Sequence, residues 1–166
     1  MYSKKLRFIT ESALIAALYT VLTYLTSILG LASGVIQVRF SEALIALSCF
    51  TPSAIPGLFI GCLISNAVTG AVIWDVIFGS LATLIGATFG FLLRKYPYLV
   101  PVPTVISNAV IVPLVLKYAY GIEGSLWYFA FTVGVGELIS AWILGSLLYL
   151  LLKKYEKVLF NNPNRK

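Results

Sequence analysis

Glu137 stands inside the apolar segment FTVGVGELISAWILG, which runs from Phe131 to Gly145. A carboxylate placed in the hydrocarbon of a bilayer costs at least ~2.5 kcal/mol on insertion scales. Such an acid therefore needs a compensating group, which can be a bound ligand, water or a proton. Gly134 and Ala141 lie at helical intervals from it, so we expect the carboxylate to face neighbouring helices rather than lipid. Glu137 is our leading candidate for a ligand-binding residue.

Five further polar residues accompany Glu137 in apolar surroundings: Arg39, Glu42, Asn66, Asp75 and Asn108. Each also has a structural interpretation. Asp75 can cap the helix that begins at DVIFGS, which stabilises a helix by about 1 kcal/mol. Arg39 and Glu42 can form an i,i+3 ion pair, and the two asparagines can form interhelical hydrogen bonds. Asn108 fits the group least, since the predicted topology places it nearer the cytoplasmic side.

Four aromatic residues lie near the same predicted membrane boundary: Trp74, Phe78, Trp127 and Tyr128. Their ordinary role is an aromatic belt at the membrane interface. The alternative is that a flat heterocycle stacks on Trp74 or Phe78, above the carboxylates.

Several kinds of chemistry are excluded by what the sequence lacks. The chain contains no histidine, so it cannot build an imidazole metal site or an imidazole proton relay. It has no nucleotide-binding G-x-x-x-x-G-K-[ST] motif and no G-x-S-x-G motif. Cys49 and Cys62 fall in apolar stretches and are expected to be small buried residues rather than a disulfide framework. We therefore expect no enzyme activity, no metal and no cofactor, and any ATP would be hydrolysed by another chain.

Composition places the chain among polytopic membrane proteins. Of its 166 residues, 60% are hydrophobic and 11% are charged, and the mean hydropathy is +0.96. A soluble domain has about 25% charged residues. The first apolar segment is about 20 residues long, which exceeds the h-region of a signal peptide, so it is predicted to remain as a membrane span.

The apolar segments predict an all-α membrane domain over residues 1–166, with six helices. A span needs about 20 apolar residues. The segment TPSAIPG, at Thr51–Gly57, interrupts one long apolar stretch and divides it into two short helices. Short helices broken by proline and glycine are typical of binding cavities inside transporters. The predicted spans are residues 8–29, 41–50, 55–69, 75–93, 102–118 and 125–152.

The basic residues predict that both termini are cytoplasmic. With the N-terminus inside, all but two of the 12 lysines and arginines lie on the cytoplasmic side, in accordance with the positive-inside rule. The exceptions are Arg39 and Lys117. The excess positive charge thus serves to orient the chain, and nucleic-acid binding is disfavoured.

Small residues predict how the helices associate. Gly57 and Gly61, like Gly86 and Gly90, form G-x-x-x-G patterns that permit close packing of helix backbones. The first span carries two small or polar faces. One contains Ser12, Ala16, Tyr19, Thr23 and Thr26 or Ser27; the other contains Ala13 and Ala17. Two such faces indicate two neighbours, of which the second is either a partner chain or another part of this chain.

Three segments together resemble the QueT family: Ile36–Asn66 (IQVRFSEALIALSCFTPSAIPGLFIGCLISN), Trp74–Ala87 (WDVIFGSLATLIGA) and Gly134–Ile139 (GVGELI). Its members are substrate-binding S components of energy-coupling factor (ECF) transporters for queuosine precursors. The resemblance implies a six-helix S component in the bacterial cell membrane, with an outward-facing ligand cavity. It also implies partners, namely a transmembrane coupling protein and two ABC-type ATPases. In such S components an alanine motif on the first helix contacts the coupling protein, and Ala13 and Ala17 match it.

The ligand implied by the resemblance is a 7-deazaguanine base such as preQ0, preQ1 or queuine. A guanine-like edge offers an N–H and an amino group side by side, which one carboxylate can accept, and Glu137 is our candidate. The amine of an aminomethyl precursor would need a second acid, Glu42 or Asp75. Asn66 can bind the remaining ring atoms, and Arg39 is expected to pair with Glu42 as a gate at the cavity mouth.

Two alternatives stay open from sequence. The first keeps the architecture but binds another vitamin-like heterocycle. The second is a small proton-coupled carrier in which Glu137 titrates. In the favoured mechanism, the loop at Gly30–Phe40 closes over the ligand, and the loaded protein then engages the coupling protein.

Overall fold

The computed structural model describes residues 4–31 and 36–160, and in these ranges all regular secondary structure is helical. Residues 32–35, within the expected closing loop, and the C-terminal Arg165 and Lys166 lie outside them. The helices are α1 (Lys4–Ile28), a 3₁₀ helix (Phe40–Cys49), α2 (Ala54–Val68), α3 (Ile73–Leu92) and α4 (Val102–Tyr118), then one long helix (Leu126–Lys154). The long helix consists of α5 (Leu126–Glu137), a π segment (Leu138–Leu144) and α6 (Gly145–Lys154). A 3₁₀ turn (Pro97–Leu99) and a short terminal helix, α7 (Glu156–Leu159), complete the described elements.

The expected architecture of six main helices, two of them short, is confirmed. Four helical segments in the described ranges are long and apolar enough to cross a membrane: Lys4–Ile28, Ile73–Leu92, Pro97–Tyr118 and Leu126–Lys154. Phe40–Cys49 and Ala54–Val68 are the shorter apolar helices. The chain is thus a multi-pass membrane protein.

The 3₁₀ helix is the buried centre of the bundle. Every residue from Ser41 to Cys49 is buried. A 3₁₀ helix rises ~2.0 Å per residue, so its 10 residues span roughly 20 Å, whereas an α-helix of equal length spans roughly 15 Å. Hydroxyl pairing fixes it to α1, since Thr23 Oγ1 donates to Ser41 Oγ at 2.8 Å. A sequence too short for a full α-helical crossing thereby reaches through much of the bundle.

Contacts between helices define the two ends of the bundle. The 3₁₀ helix runs antiparallel to α1, and α3 runs antiparallel to α2. Ser12 near the start of α1 donates to the Ser53 carbonyl oxygen just before α2, and Gly90 near the end of α3 approaches Val100 just before α4. At the same end, Phe50 stacks on Tyr149 of α6. We call this the basic end, because it carries Lys4, Lys5, Arg94, Lys95, Lys153 and Lys154. The opposite end, at Arg39, is called the Arg39 end.

Both glycine patterns lie where helices touch, as predicted. A Cβ atom on Gly57 would lie 2.8 Å from Ile15 Cβ, and one on Gly61 would lie 2.6 Å from Tyr19 Cβ. A Cβ on Gly90 would lie 2.9 Å from the Val100 carbonyl oxygen. The glycines thus bring α2 against α1 and α3 against the start of α4 at distances that larger residues would prevent.

The two faces of α1 have separate environments. Ser12, Ala16, Tyr19, Thr23 and Thr26 are buried against the bundle, whereas Ser27 is exposed. The predicted inner stripe is therefore confirmed, with Thr26 as its last member.

The alanine face of α1 is not buried against other described residues of the chain. Ala13 and Ala17 are exposed, together with large apolar neighbours such as Leu14 and Val21. Within the described chain, the face is thus left available to lipid or a partner.

Aromatic rings fill the core near the basic end. Phe50 stacks on Tyr149 with ring centroids 5.5 Å apart and on Phe160 with centroids 5.0 Å apart. Tyr98 meets the edge of Tyr149 at 6.2 Å. These rings occupy the space between the buried end of the 3₁₀ helix and the terminal helices.

Glu11 joins α1 to the turn that follows the 3₁₀ helix. Its Oε2 accepts hydrogen bonds from Thr51 Oγ1 at 2.8 Å and Ser53 Oγ at 3.0 Å, while Oε1 accepts from Arg7 Nε at 2.7 Å. Glu11→Ala removes these partly buried bonds, so we expect it to lower the free energy of unfolding by about 2 kcal/mol. Thermal unfolding in detergent measures the change. Glu123→Ala, at an exposed loop position, is the control, and equal midpoints for both variants would contradict this role.

Candidate functional site

Two adjoining cavities lie between the helices toward the Arg39 end. The outer cavity has a volume of about 350 Å³, within the range of ~300–1,000 Å³ typical of small-molecule sites. Exposed residues Thr69, Gly70 and Ile122 form part of its rim. The deep pocket has about 20 Å³ of space, which is room for about one water molecule. Four residues line both cavities: Gln37, Arg39, Asp75 and Val112.

Glu137 lies in the wall of the deep pocket, at the junction of α5 and the π segment. Its side chain is 9% exposed, and the Asn108 amide interacts with its carboxyl group. Oε2 is buried and has no hydrogen-bond partner among the described residues. The carboxyl group thus faces the interior, as expected from sequence, and keeps one acceptor that the described chain does not satisfy.

The expected Arg39–Glu42 ion pair is absent. No carboxylate oxygen in the described ranges lies within the 4.0 Å salt-bridge distance of Arg39, and the Glu42 carboxylate accepts a hydrogen bond from the Tyr19 hydroxyl. Arg39 precedes the 3₁₀ helix in an extended conformation, with φ −117° and ψ 114°. The extended backbone changes the direction of the Arg39 side chain. The Tyr19 hydroxyl, rather than Arg39, contacts the Glu42 carboxylate.

Asp75 does not cap α3, in contrast to the structural interpretation given from sequence. Helix α3 begins at Ile73, so Asp75 lies in the first turn, and the capping position is occupied by Val72 without a side-chain hydrogen bond. Its Oδ2 instead accepts a hydrogen bond from the Tyr120 hydroxyl at 3.0 Å. Partial burial and the neighbouring Asp75 raise the pKa of Tyr120, so the hydroxyl keeps its proton and remains a donor at neutral pH. Asp75 is thereby held at the boundary of the two cavities.

The two asparagines lie on different cavities. Asn66 lines the outer cavity, and its Nδ2 donates to the Asp75 carbonyl oxygen at 3.4 Å, joining α2 to α3. Asn108 lines the deep pocket beside Glu137. The predicted interhelical contact is therefore present for Asn66, and Asn108 lies with the other polar residues despite its position nearer the basic end of α4.

Trp74 and Phe78 lie apart from both cavities. They are 54% and 42% exposed, and their rings stack with centroids 6.0 Å apart. Asp75 and Gly79, the residues that follow them, line the deep pocket. A one-residue step rotates the side chain by about 100° around a helix, which turns both aromatic rings outward.

Gln37 and Thr83 are among the cavity-lining residues that the sequence pattern did not single out. Gln37 lines both cavities but lies in a loop that has no periodic pattern. Thr83 lines the deep pocket on α3, at the four-residue spacing that begins with Asp75 and continues through Gly79. This four-residue spacing places Thr83 on the same helix face as Asp75 and could have identified it from sequence. Gly79 keeps this face open, since a Cβ there would lie 3.1 Å from Asn66 Nδ2.

The π segment and a glycine position the segment that carries Gln37 and Arg39. Ser140 Oγ accepts a hydrogen bond from the Arg39 backbone N–H at 3.0 Å. Gly136 allows the Gln37 backbone to approach α5, since a Cβ atom at Gly136 would overlap the Gln37 carbonyl oxygen. Such π-bulges are frequent at functional sites. The long helix therefore determines where both cavity residues lie.

Acidic groups outnumber basic groups in this site. Glu42, Asp75 and Glu137 are buried, and Arg39 is the one cationic side chain among the described residues that line the two cavities. The described residues form no cluster of three or more histidine, cysteine or acidic side chains that could hold a metal ion. The arrangement suits a nitrogen-rich organic ligand that supplies hydrogen-bond donors to carboxylates.

Comparison with known proteins supplies an independent classification. The family model described as QueT transporter matches residues 9–154. A relative named Queuosine precursor transporter QueT, from Lactococcus lactis subsp. cremoris (strain MG1363), is 38% identical over 93 residues. That alignment covers 56% of this chain and 54% of the relative, so the chain matches about half the length of the curated relative. No solved structure shows a significant match.

Proposed function

Since the chain belongs to the QueT transporter family, we propose that it captures a queuosine precursor, a 7-deazaguanine base, and delivers it to an ATP-driven importer. One observation carries the proposal: a cavity of about 350 Å³ in a membrane-helix bundle is lined by the buried Asp75 carboxylate and adjoins a deep pocket lined by Glu42 and Glu137. In this proposal the Arg39 end faces the outside, and the basic end faces the cytoplasm, in accordance with the positive-inside rule.

The base is assigned to the outer cavity, with Asp75 rather than Glu137 reading its guanine-like edge. The ring N–H and the 2-amino group donate to the Asp75 carboxylate, since the deep pocket beside Glu137 has room for only about one water molecule. Asn66 offers a donor and an acceptor to other ring atoms. Arg39, which has no carboxylate within salt-bridge distance in the described chain, donates to the ring carbonyl instead of forming a gate with Glu42.

Delivery requires partners, which we propose to be a transmembrane coupling protein and two ABC-type ATPases of an ECF module. The exposed alanine face of α1, at Ala13 and Ala17, is the proposed contact with the coupling protein. Small residues support this role because they let a partner helix approach closely.

Titration of 7-deazaguanine and 7-deazaadenine into the purified full chain tests the proposed function. We expect the guanine analogue to bind and the adenine analogue to bind at least about 10-fold more weakly, because its ring nitrogen accepts where Asp75 needs a donor. Asp75→Asn should reduce binding of the guanine analogue by about 10- to 100-fold. Glu123→Gln, an exposed acid outside the cavity lining, is the control. Equal binding of both bases, or binding unaffected by Asp75→Asn, would contradict this site.

A further inference from the structure

The deep pocket is acidic and too small for a ring. Glu42 and Glu137 both line it, and its space of about 20 Å³ holds about one water molecule. An ammonium group is close to water in size and donates three hydrogen bonds. The pocket therefore matches the end of a charged arm, whereas a bicyclic base remains in the outer cavity.

The described residues leave one acceptor in this pocket without a hydrogen bond. Glu137 Oε2 is buried without a hydrogen-bond partner in the described residues, although the Asn108 amide interacts with the same carboxyl group. Arg39 lies in the wall, but in the described chain no carboxylate approaches it within 4.0 Å. Because a buried polar atom without a partner is unfavourable, a ligand that brings a donor to this position gains affinity.

The two cavities adjoin at Gln37, Arg39, Asp75 and Val112, which line both. A base resting against this shared wall in the outer cavity thus has its nearest substituent next to the deep pocket. A one-carbon arm is short enough to cross such a boundary without carrying the ring through it. The ring N–H and the 2-amino group stay in the outer cavity, where Asp75, which lines both cavities, is their proposed acceptor.

We propose that the deep pocket binds the terminal ammonium of a one-carbon arm at position 7 of the base, with Glu137 as its main acceptor. This inference rests on the proposed function and specifies its substrate class: the aminomethyl base is preferred over the neutral nitrile base. A nitrile nitrogen has no hydrogen to donate and would direct its lone pair at carboxylate oxygens. Queuine, whose arm carries a cyclopentene ring, exceeds the space of the pocket.

The first test uses the unmodified full chain and needs no variant. Binding of 7-aminomethyl-7-deazaguanine, the 7-cyano analogue and unsubstituted 7-deazaguanine is measured by calorimetry in detergent or nanodiscs. We expect the aminomethyl base to bind about 10- to 100-fold more tightly than either neutral base, the gain of a charge-assisted hydrogen bond. A cyano base that binds as tightly as the aminomethyl base overturns this inference and leaves the proposed function intact. Failure of all three bases to bind contradicts the proposed function itself.

The second test assigns the preference to Glu137. Glu137→Gln keeps the size of the side chain and removes its charge, so we expect affinity for the aminomethyl base to fall about 10- to 100-fold. The aminomethyl base should thereby lose its advantage over unsubstituted 7-deazaguanine, and the thermal unfolding midpoint measures whether the variant is folded. Glu123→Gln is the matched control at an exposed position. An equal loss for charged and neutral bases would overturn the assignment of the ammonium to Glu137.

Discussion

Ala13→Trp is expected to abolish uptake of the base by cells while leaving binding by the purified chain unchanged. Ala13 is exposed on α1, whereas the inner face of the same helix packs on the bundle through Ser12 and Tyr19. A tryptophan at position 13 therefore disturbs neither the cavities nor the internal packing. It does prevent the close backbone approach that a small residue permits to a partner helix.

The experiment compares uptake in cells that express the proposed ECF module with calorimetric binding in detergent. Leu18→Trp is the matched control, because Leu18 is an exposed apolar residue of α1 about 120° away from the alanine face. It should support normal uptake. Uptake that survives Ala13→Trp would remove the proposed docking face. Uptake that survives ATP depletion but not collapse of the proton gradient would instead favour a proton-coupled carrier.

Gly136→Ala is expected to weaken binding of 7-deazaguanine by about 10- to 100-fold, the loss of one charge-assisted hydrogen bond. A methyl group at this position would overlap the Gln37 carbonyl oxygen, and backbone cannot yield as a flexible side chain does. The segment that carries Gln37 and Arg39 must therefore move away from α5. Overpacking of this kind also lowers stability, typically by about 1–3 kcal/mol.

Gly134→Ala provides a control in the same helix, two residues away. Its added methyl group would have Ala109 Cβ as its nearest neighbour, at 3.9 Å, an ordinary van der Waals distance. We expect this variant to bind the base normally. Binding affinity and the thermal unfolding midpoint are measured for both variants. If the two bind equally well, Gly136 does not position the cavity wall.

Periodicity predicted those parts of the structure that follow from one helix at a time. The inner stripe of α1 and both glycine patterns occupy contact positions, because spacing of three and four residues fixes a helix face whatever its neighbour is. Burial of Glu137 followed from the same argument, since small residues share its face. The six main helices followed from the lengths of the apolar segments and from the proline and glycine residues that interrupt one of them at Thr51–Gly57.

Hydrogen-bond partners of the side chains depend on contacts between residues far apart in sequence, so periodicity could not predict them. Glu42 pairs with Tyr19, a residue of another helix, rather than with Arg39 three positions away. Trp74 and Phe78 share a face with each other but not with Asp75, and sequence alone did not say which face meets the cavity. The 3₁₀ and π segments depend on the packing around them. The α-helical periodicity therefore assigns side chains in these segments to the wrong face.

The aromatic stack at the basic end has a consequence for how a ligand would leave the outer cavity. Phe50 stacks on Tyr149 and Phe160 at that end, beside a separate pocket of about 250 Å³, whereas the outer cavity meets exposed residues at the opposite end. The outer cavity and the pocket at the basic end share no lining residue among the described residues. In this conformation, the buried 3₁₀ helix and the aromatic stack lie between a ligand in the outer cavity and the basic end. Under the proposed function, release at the basic end therefore requires a conformational change that opens or reorients this packed region.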